Sequence, residues 1–87
     1  MDREKIIDLI GFVKISQYRV NTIKFIGNEM KMPVEIGKQL GIATSHASNI
    51  LRTLSDNDLV HCVNPNRKKG RLYENTELGK EVLKYLD

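Results

Sequence analysis

The sequence predicts a mostly α-helical domain with one small antiparallel β-sheet. Two observations support this fold class. Apolar residues recur at helical spacing in five segments, and capping residues, glycines or prolines separate several of them. Between the fourth and fifth segments, two short stretches rich in β-branched and aromatic residues flank a loop that contains Pro65 and Gly70. At 87 residues, the chain has the length of one domain.

The first two predicted helices are amphipathic. The first covers residues 2–14, and its apolar side consists of Ile6, Ile7, Ile10 and Val13. Ser16 suits the N-cap of the second helix, and Gly27 marks the end of that helix. The inward face of the second helix is expected to contain Val20, Ile23, Ile26 and Met30, with Phe25 alongside.

Two short helices joined by a tight turn are predicted between Pro33 and Val60. Pro33 suits a first helical position, because its missing N–H would have no partner there. Gly41 ends this helix, since glycine adopts the left-handed conformation just past a helix end. The next helix begins at Thr44 or Ser45 and covers about residues 44–57. Its buried side is expected to consist of Ala47, Ile50, Leu51 and Leu54.

The opposite side of the 44–57 helix carries short polar side chains and one arginine. Such residues reach base edges and phosphates in a DNA major groove. The candidate DNA-binding residues on this helix are Thr44, Ser45, His46, Ser48, Asn49, Arg52 and Thr53. Alternatives stay open, because His46 either contacts phosphate or is only solvated. Arg52 either binds DNA or pairs with Asp56 at i+4 spacing.

A hairpin with a basic tip is predicted next, with strands at residues 60–64 and 71–75. Residues 31–32 are a possible third strand of the same sheet. The loop region, about residues 64–71, carries four cations, Arg67, Lys68, Lys69 and Arg71. They would neutralise phosphates, although such a charge run can also keep a hairpin soluble. Arg71 is the better candidate for minor-groove insertion, and Lys68 and Lys69 for phosphate contact. A helix-turn-helix followed by a basic hairpin is a winged helix-turn-helix.

A last helix, capped by Thr76, completes the predicted domain. Its apolar side consists of Leu78, Val82, Leu83 and Leu86. The expected organisation is one DNA-binding domain over residues 1–87. It comprises an N-terminal helix at 1–15, a winged-helix core at 16–76 and a C-terminal helix at 77–87.

Two sequence runs, SHASNILRTLSDNDLV and NPNRKKGRLYENTELGKEVL, combine these features, and SQYR opens the second helix. They resemble the MarR/ArsR-type winged-helix transcription regulators, most closely the short archaeal ones. The matching positions are Leu54, Leu59, Val60, Gly70, Arg71, Tyr73, Thr76, Gly79 and Leu83. Asp58 replaces the family glycine but tolerates a left-handed conformation. Asn75 replaces an apolar residue, so the last helix is expected to be less firmly anchored.

The resemblance, together with the basic hairpin, implies a transcription regulator that binds specific sequences of double-stranded DNA. The single cysteine and the lack of an apolar run of membrane-spanning length predict a cytoplasmic location. Terminal helices of this family commonly pair across a two-fold axis. We therefore expect a homodimer whose interface includes Ile6, Ile10, Leu83 and Leu86. The alternative is a winged-helix module that binds protein within a transcription or processing complex. A small-molecule effector is unknown, and any effector would have to act at the dimer interface.

The residue pattern argues against an enzyme and against a bound cofactor. It shows no nucleophile with a base, no carboxylate pair and no phosphate-binding loop. His61 and Cys62 are adjacent in a predicted strand and therefore point to opposite faces, which argues against a shared metal ion. Cys62, the single cysteine, is expected to be a small apolar filler under the wing. No apolar run has the length of a membrane span.

Overall fold

A computed structural model of the chain describes residues 2–86; Met1 and Asp87, which the sequence assigns to the terminal helices, lie outside the described residues. Within that range, five helices and a two-stranded antiparallel sheet follow the predicted order. The elements are α1 (Arg3–Lys14), α2 (Gln17–Ile26), α3 (Pro33–Leu40), α4 (Thr44–Asp56), β1 (Val60–Cys62), β2 (Tyr73–Asn75) and α5 (Glu77–Leu83). The predicted mostly α class with a small antiparallel sheet is confirmed.

The helix ends are fixed by the capping chemistry that the sequence indicates. The Ser16 hydroxyl accepts a hydrogen bond from the Arg19 N–H at 3.3 Å, and the Thr76 hydroxyl accepts one from the Gly79 N–H at 3.0 Å. Gly41 ends α3 with a left-handed φ of 72°. These contacts satisfy backbone groups that a helix end would otherwise leave unpaired.

Helix α2 is shorter than its apolar spacing indicates. It ends at Ile26, because Gly27 takes φ 54° and ψ −122°, a conformation that side chains disfavour. Met30 lies beyond the helix, and 49% of its surface is exposed. The prediction that Met30 belongs to the inward face of α2 is therefore wrong. Helix α5 likewise stops at Leu83, earlier than the predicted 77–87 segment.

The core lies between the five helices and β1, and the predicted buried side of α4 is confirmed. The largest fully buried side chains are Ile23, Ile26, Ile36, Leu51, Leu54 and Leu59. Gly37 allows α3 to approach the turn before α4 closely. A Cβ at Gly37 would lie 2.9 Å from the carbonyl oxygen of Ile42 and 3.6 Å from the Cα of Thr44. Backbone contact therefore sets the spacing between α3 and the start of α4.

The sheet pairs Val60 with Asn75 and Cys62 with Tyr73, so its strands are shorter than the predicted segments. A hydrogen bond from the Val63 N–H to the Leu72 carbonyl, 2.9 Å long, prolongs the pairing toward the hairpin tip. The third strand is reduced to an isolated bridge, in which Lys31 and Tyr73 exchange two hydrogen bonds of 2.9 Å. This bridge places the segment before α3 beside the hairpin.

Asn75 fastens the hairpin to α2. Its side chain is buried, and its Nδ2 donates to the carbonyl oxygens of Ile23 at 3.1 Å and Gly27 at 3.0 Å. The expectation that Asn75 leaves the last helix less firmly anchored is wrong, because this polar residue makes two hydrogen bonds to the end of α2, one of them to the Gly27 carbonyl that an apolar residue would leave unpaired.

The start of α5 is bound closely to the residues that precede β1. The Thr76 hydroxyl donates to the Asp58 carbonyl at 2.6 Å. Asp58 has a φ of 60°, the left-handed conformation that aspartate tolerates better than most residues. Gly79 packs directly against the Leu59 carbonyl, where a Cβ would overlap the oxygen. These two backbone-directed contacts hold the junction between the hairpin and α5.

Candidate nucleic-acid interface

A groove of about 560 Å³ lies between the start of α3, the exposed side of α4 and the hairpin tip. Helix α4 lines it with Thr44, Ser48, Arg52 and Ser55. The hairpin lines it with Lys68, Lys69, Gly70, Arg71 and Tyr73. Three of the seven α4 candidates and three of the four hairpin cations therefore meet in one groove.

The charge around this groove has one sign. Arg52 lies on the α4 side, and the hairpin contributes Lys68, Lys69 and Arg71. No carboxylate from residues 2–86 lines the groove. A concave surface with four cations and no acid attracts a polyanion, and it does so over a distance comparable with the Debye length.

The other α4 candidates lie outside the groove. Ser45 and Asn49 are exposed, and helical spacing places them on the side of α4 opposite the buried residues. His46 is on the flank of α4 nearest to α2, where its ring centroid lies 5.0 Å from that of Tyr18 in an edge-to-face contact. Thr53 is half-buried, and its hydroxyl donates to the Asn49 carbonyl at 3.1 Å. The candidates thus occupy both flanks and the outermost line of the helix.

Arg52 is exposed, and no ion pair within residues 2–86 joins it to Asp56. The i+4 pairing that the sequence permits is therefore not formed, and Arg52 lines the groove instead.

Hydrogen bonds within the loop connect the residues of the hairpin tip. The Arg67 N–H donates to the Asn64 carbonyl at 3.0 Å, which closes a turn with Pro65 at its second position. Arg67, Lys68 and Lys69 are exposed. Arg71 is also exposed, but its guanidinium folds back on the loop, with Nε donating to the Arg67 carbonyl at 2.6 Å and Nη2 to the Pro65 carbonyl at 3.3 Å.

Several groove residues were not among the candidates from sequence. Met32, Pro33 and Val34 form an apolar part of its lining, and Tyr73 lies between them and the hairpin tip. The possible third strand at residues 31–32 was the available signal, because its pairing with the hairpin brings Met32 toward Tyr73. Tyr18, which supports His46, carries no comparable sequence signal.

A second groove, between α1 and α5, exposes apolar side chains. It is lined by Arg3, Ile6, Ile7, Ile10, Glu81 and Tyr85. Ile7 is 60% exposed and Tyr85 is 52% exposed, which is high for such large apolar surfaces. Of the expected interface residues, Ile6 and Ile10 line this groove, Leu83 is half-buried, and Leu86 is buried in the core of the monomer.

His61 and Cys62 are engaged in separate contacts. The His61 Nε2 lies 2.7 Å from the Glu74 Oε2 across the sheet, whereas the half-buried Cys62 Sγ lies 3.5 Å from the Asn64 Oδ1. Among residues 2–86, no three His, Cys, Asp or Glu side chains converge as metal ligands would. None of the helices formed by these residues combines the length and apolar character that crossing a bilayer requires.

Comparisons with protein-family models, with curated proteins and with solved structures find no match to the chain.

Proposed function

We propose that this chain is a cytoplasmic winged helix-turn-helix protein that binds specific sequences of double-stranded DNA and regulates transcription. In this proposal α3 and α4 are the helix-turn-helix, and the hairpin is the wing, as in the MarR/ArsR-type regulators that the sequence resembles. Helix α4 enters the major groove, whose width of about 12 Å admits one α-helix. The hairpin tip lies over the neighbouring backbone or minor groove.

The observation that carries the proposal is the groove itself. It joins the polar side of α4 to the basic hairpin tip, with four cations and no carboxylate along it. These two segments are separated in the sequence, so their meeting on one surface is a property of the fold. A charge run that served only solubility would have no need to face a polar helix side.

The positions of the side chains suggest a division of roles. Ser45 and Asn49 lie farthest from the core and are assigned to base edges. Thr44, Ser48 and Arg52 border the groove and reach the bases or backbone nearest to the wing. The remaining contacts, assigned to phosphates, come from His46, Thr53, Arg67, Lys68 and Lys69.

The experiment that tests the proposal is a titration of labelled duplex DNA at several salt concentrations, with the target first selected from a random duplex pool. Lys68→Ala combined with Lys69→Ala should weaken binding to all sequences alike. It should also reduce the salt slope by about 0.9 for each phosphate that the variant no longer neutralises. Asn49→Ala should instead change the preference between sequences.

A matched control removes the same charge elsewhere. Lys5 and Lys14 are exposed on α1, outside the groove, so Lys5→Ala combined with Lys14→Ala changes the net charge equally. This control should leave the slope almost unchanged. If it weakens binding as much as the wing variant does, the groove is not the interface. If wild-type protein shows no salt-dependent binding to any duplex, a module that binds protein becomes the better proposal.

We further propose that the DNA-binding form is a homodimer joined through α1 and α5. The exposed Ile7 and Tyr85 give this face apolar area, and Arg3 and Glu81 place opposite charges at its edges. Two α4 helices would then enter successive major grooves about 34 Å apart, on a roughly palindromic site. Sedimentation should show a dimer at tens of micromolar and a monomer for Ile7→Glu; a monomeric wild type would contradict the proposal.

A further inference from the structure

We propose, on the basis of the proposed DNA-binding function, that Asn64 and Arg71 are positioning residues. They hold the hairpin tip in one shape and so determine where Lys68 and Lys69 meet the DNA backbone. In this assignment Arg71 acts through the loop and is not itself inserted in the minor groove.

Asn64 joins the two sides of the loop with its side chain. Its Oδ1 accepts a hydrogen bond from the Leu72 N–H at 2.8 Å, and its Nδ2 donates to the Gly70 carbonyl at 3.1 Å. Its own carbonyl accepts from the Arg67 N–H. One residue therefore closes the base of the tip and its first turn. An alanine could not replace the two side-chain bonds.

Arg71 braces the same loop from the other strand. Its guanidinium donates to the carbonyls of both Arg67 and Pro65, at 2.6 Å and 3.3 Å. Gly70, with a φ of 69°, turns the chain so that Arg71 faces back on the loop. The planar guanidinium has several donors at fixed angles, so it can bridge two carbonyls in a way that a lysine ammonium does less well.

The shape of the tip has a direct effect on affinity. A loop that is ordered before binding loses less conformational entropy when its lysines reach phosphates. Lys68 and Lys69 sit between Arg67 and Gly70, which the two positioning residues contact. Loss of either brace should therefore weaken binding while the number of neutralised phosphates stays the same.

Two charge-conserving variants test this assignment. Asn64→Ala and Arg71→Lys should each weaken binding by roughly threefold to tenfold, with the salt slope unchanged and no altered preference for A·T pairs. Lys68→Ala should reduce the slope by about 0.9. Asn66→Ala is the matched control, because Asn66 is exposed in the same loop and its side chain makes no hydrogen bond within residues 2–86.

A second measurement does not depend on DNA. Backbone ¹⁵N relaxation of residues 66–70 in the free protein should give order parameters near 0.85 for wild type and for Asn66→Ala, and below about 0.6 for the two positioning variants. Unchanged order in those variants would overturn the assignment. Full affinity of Arg71→Lys would also overturn it, because a simple phosphate contact tolerates lysine. If wild type binds no duplex, the proposed function fails, and the relaxation data alone decide whether the two residues order the tip.

Discussion

Replacement of Asn75 by alanine should destabilise the fold more than its single position suggests. The variant loses two hydrogen bonds, to Ile23 and Gly27, at a site where only 2% of the residue is exposed. The Ile23 carbonyl keeps a hydrogen bond from the Gly27 N–H at 3.0 Å, so the greater cost falls on the Gly27 carbonyl. The Asn75 Oδ1 is buried without a partner in the described structure, and its removal returns part of the cost.

With about 1 kcal/mol for each hydrogen bond, the expected loss is about 2 kcal/mol. A domain of 87 residues has a free energy of unfolding of roughly 4 to 13 kcal/mol, so this is a substantial fraction. Tm should fall by about 8 to 16 °C. Asn75→Asp should cost more, because it removes the donor and turns a carboxylate oxygen toward two carbonyls.

Urea unfolding followed by circular dichroism measures the loss, with an unchanged m value as the sign that the denatured state is not altered. Asn57→Ala is the matched control, since Asn57 is half-buried and its side chain makes a single hydrogen bond, from Nδ2 to the Thr53 carbonyl at 2.9 Å. It should cost about 1 kcal/mol or less. If Asn75→Ala is no more destabilising than the control, Asn75 does not anchor the hairpin to α2.

Two further predictions concern the backbone around α5. Gly79→Ala should lower the free energy of unfolding by about 2 kcal/mol or more, because the new Cβ overlaps the Leu59 carbonyl. Gly11→Ala should instead raise it by about 0.5 to 1 kcal/mol, because a Cβ at Gly11 would have no atom within 4 Å and alanine favours the helix. Thermal unfolding compares the two, and equal effects would contradict the close approach. Asp58→Gly should raise the free energy of unfolding by up to about 1 kcal/mol, because glycine adopts the φ of 60° at this position without strain. Asp58→Val should lower it by about 1 kcal/mol or more, because a β-branched residue disfavours that conformation. Urea titration of the pair tests this, and a less stable glycine variant would refute it.

Local chemistry was sufficient to predict most elements of the fold. The caps at Ser16 and Thr76 and the left-handed turn at Gly41 each depend on residues within four positions, and the structure contains them. The role of Asn75 depends on contacts with residues 52 and 48 positions away, which no local pattern reveals. The prediction for Met30 is wrong for the opposite reason, because its apolar spacing extends the inward face past Gly27, the residue that already indicated the end of α2.

The same limit applies to the candidate interface. Apolar spacing in α4 identifies its exposed side, but the position of the hairpin decides that Thr44, Ser48 and Arg52 face a groove. Arg71 illustrates the point more sharply. Its charge and place in the loop are visible in the sequence, whereas the two carbonyls that it contacts are brought together only by the turn at Pro65.

The close approach at Gly37 has a consequence for how this protein can change over evolution. The start of α4 is set against α3 by main-chain atoms, with the Ile42 N–H also donating to the Gly37 carbonyl at 2.9 Å. Exchange of one core aliphatic residue for another alters packing and stability first, while the main-chain spacing persists. Substitutions on the exposed side of α4 and substitutions in the core can thus accumulate with little effect on one another.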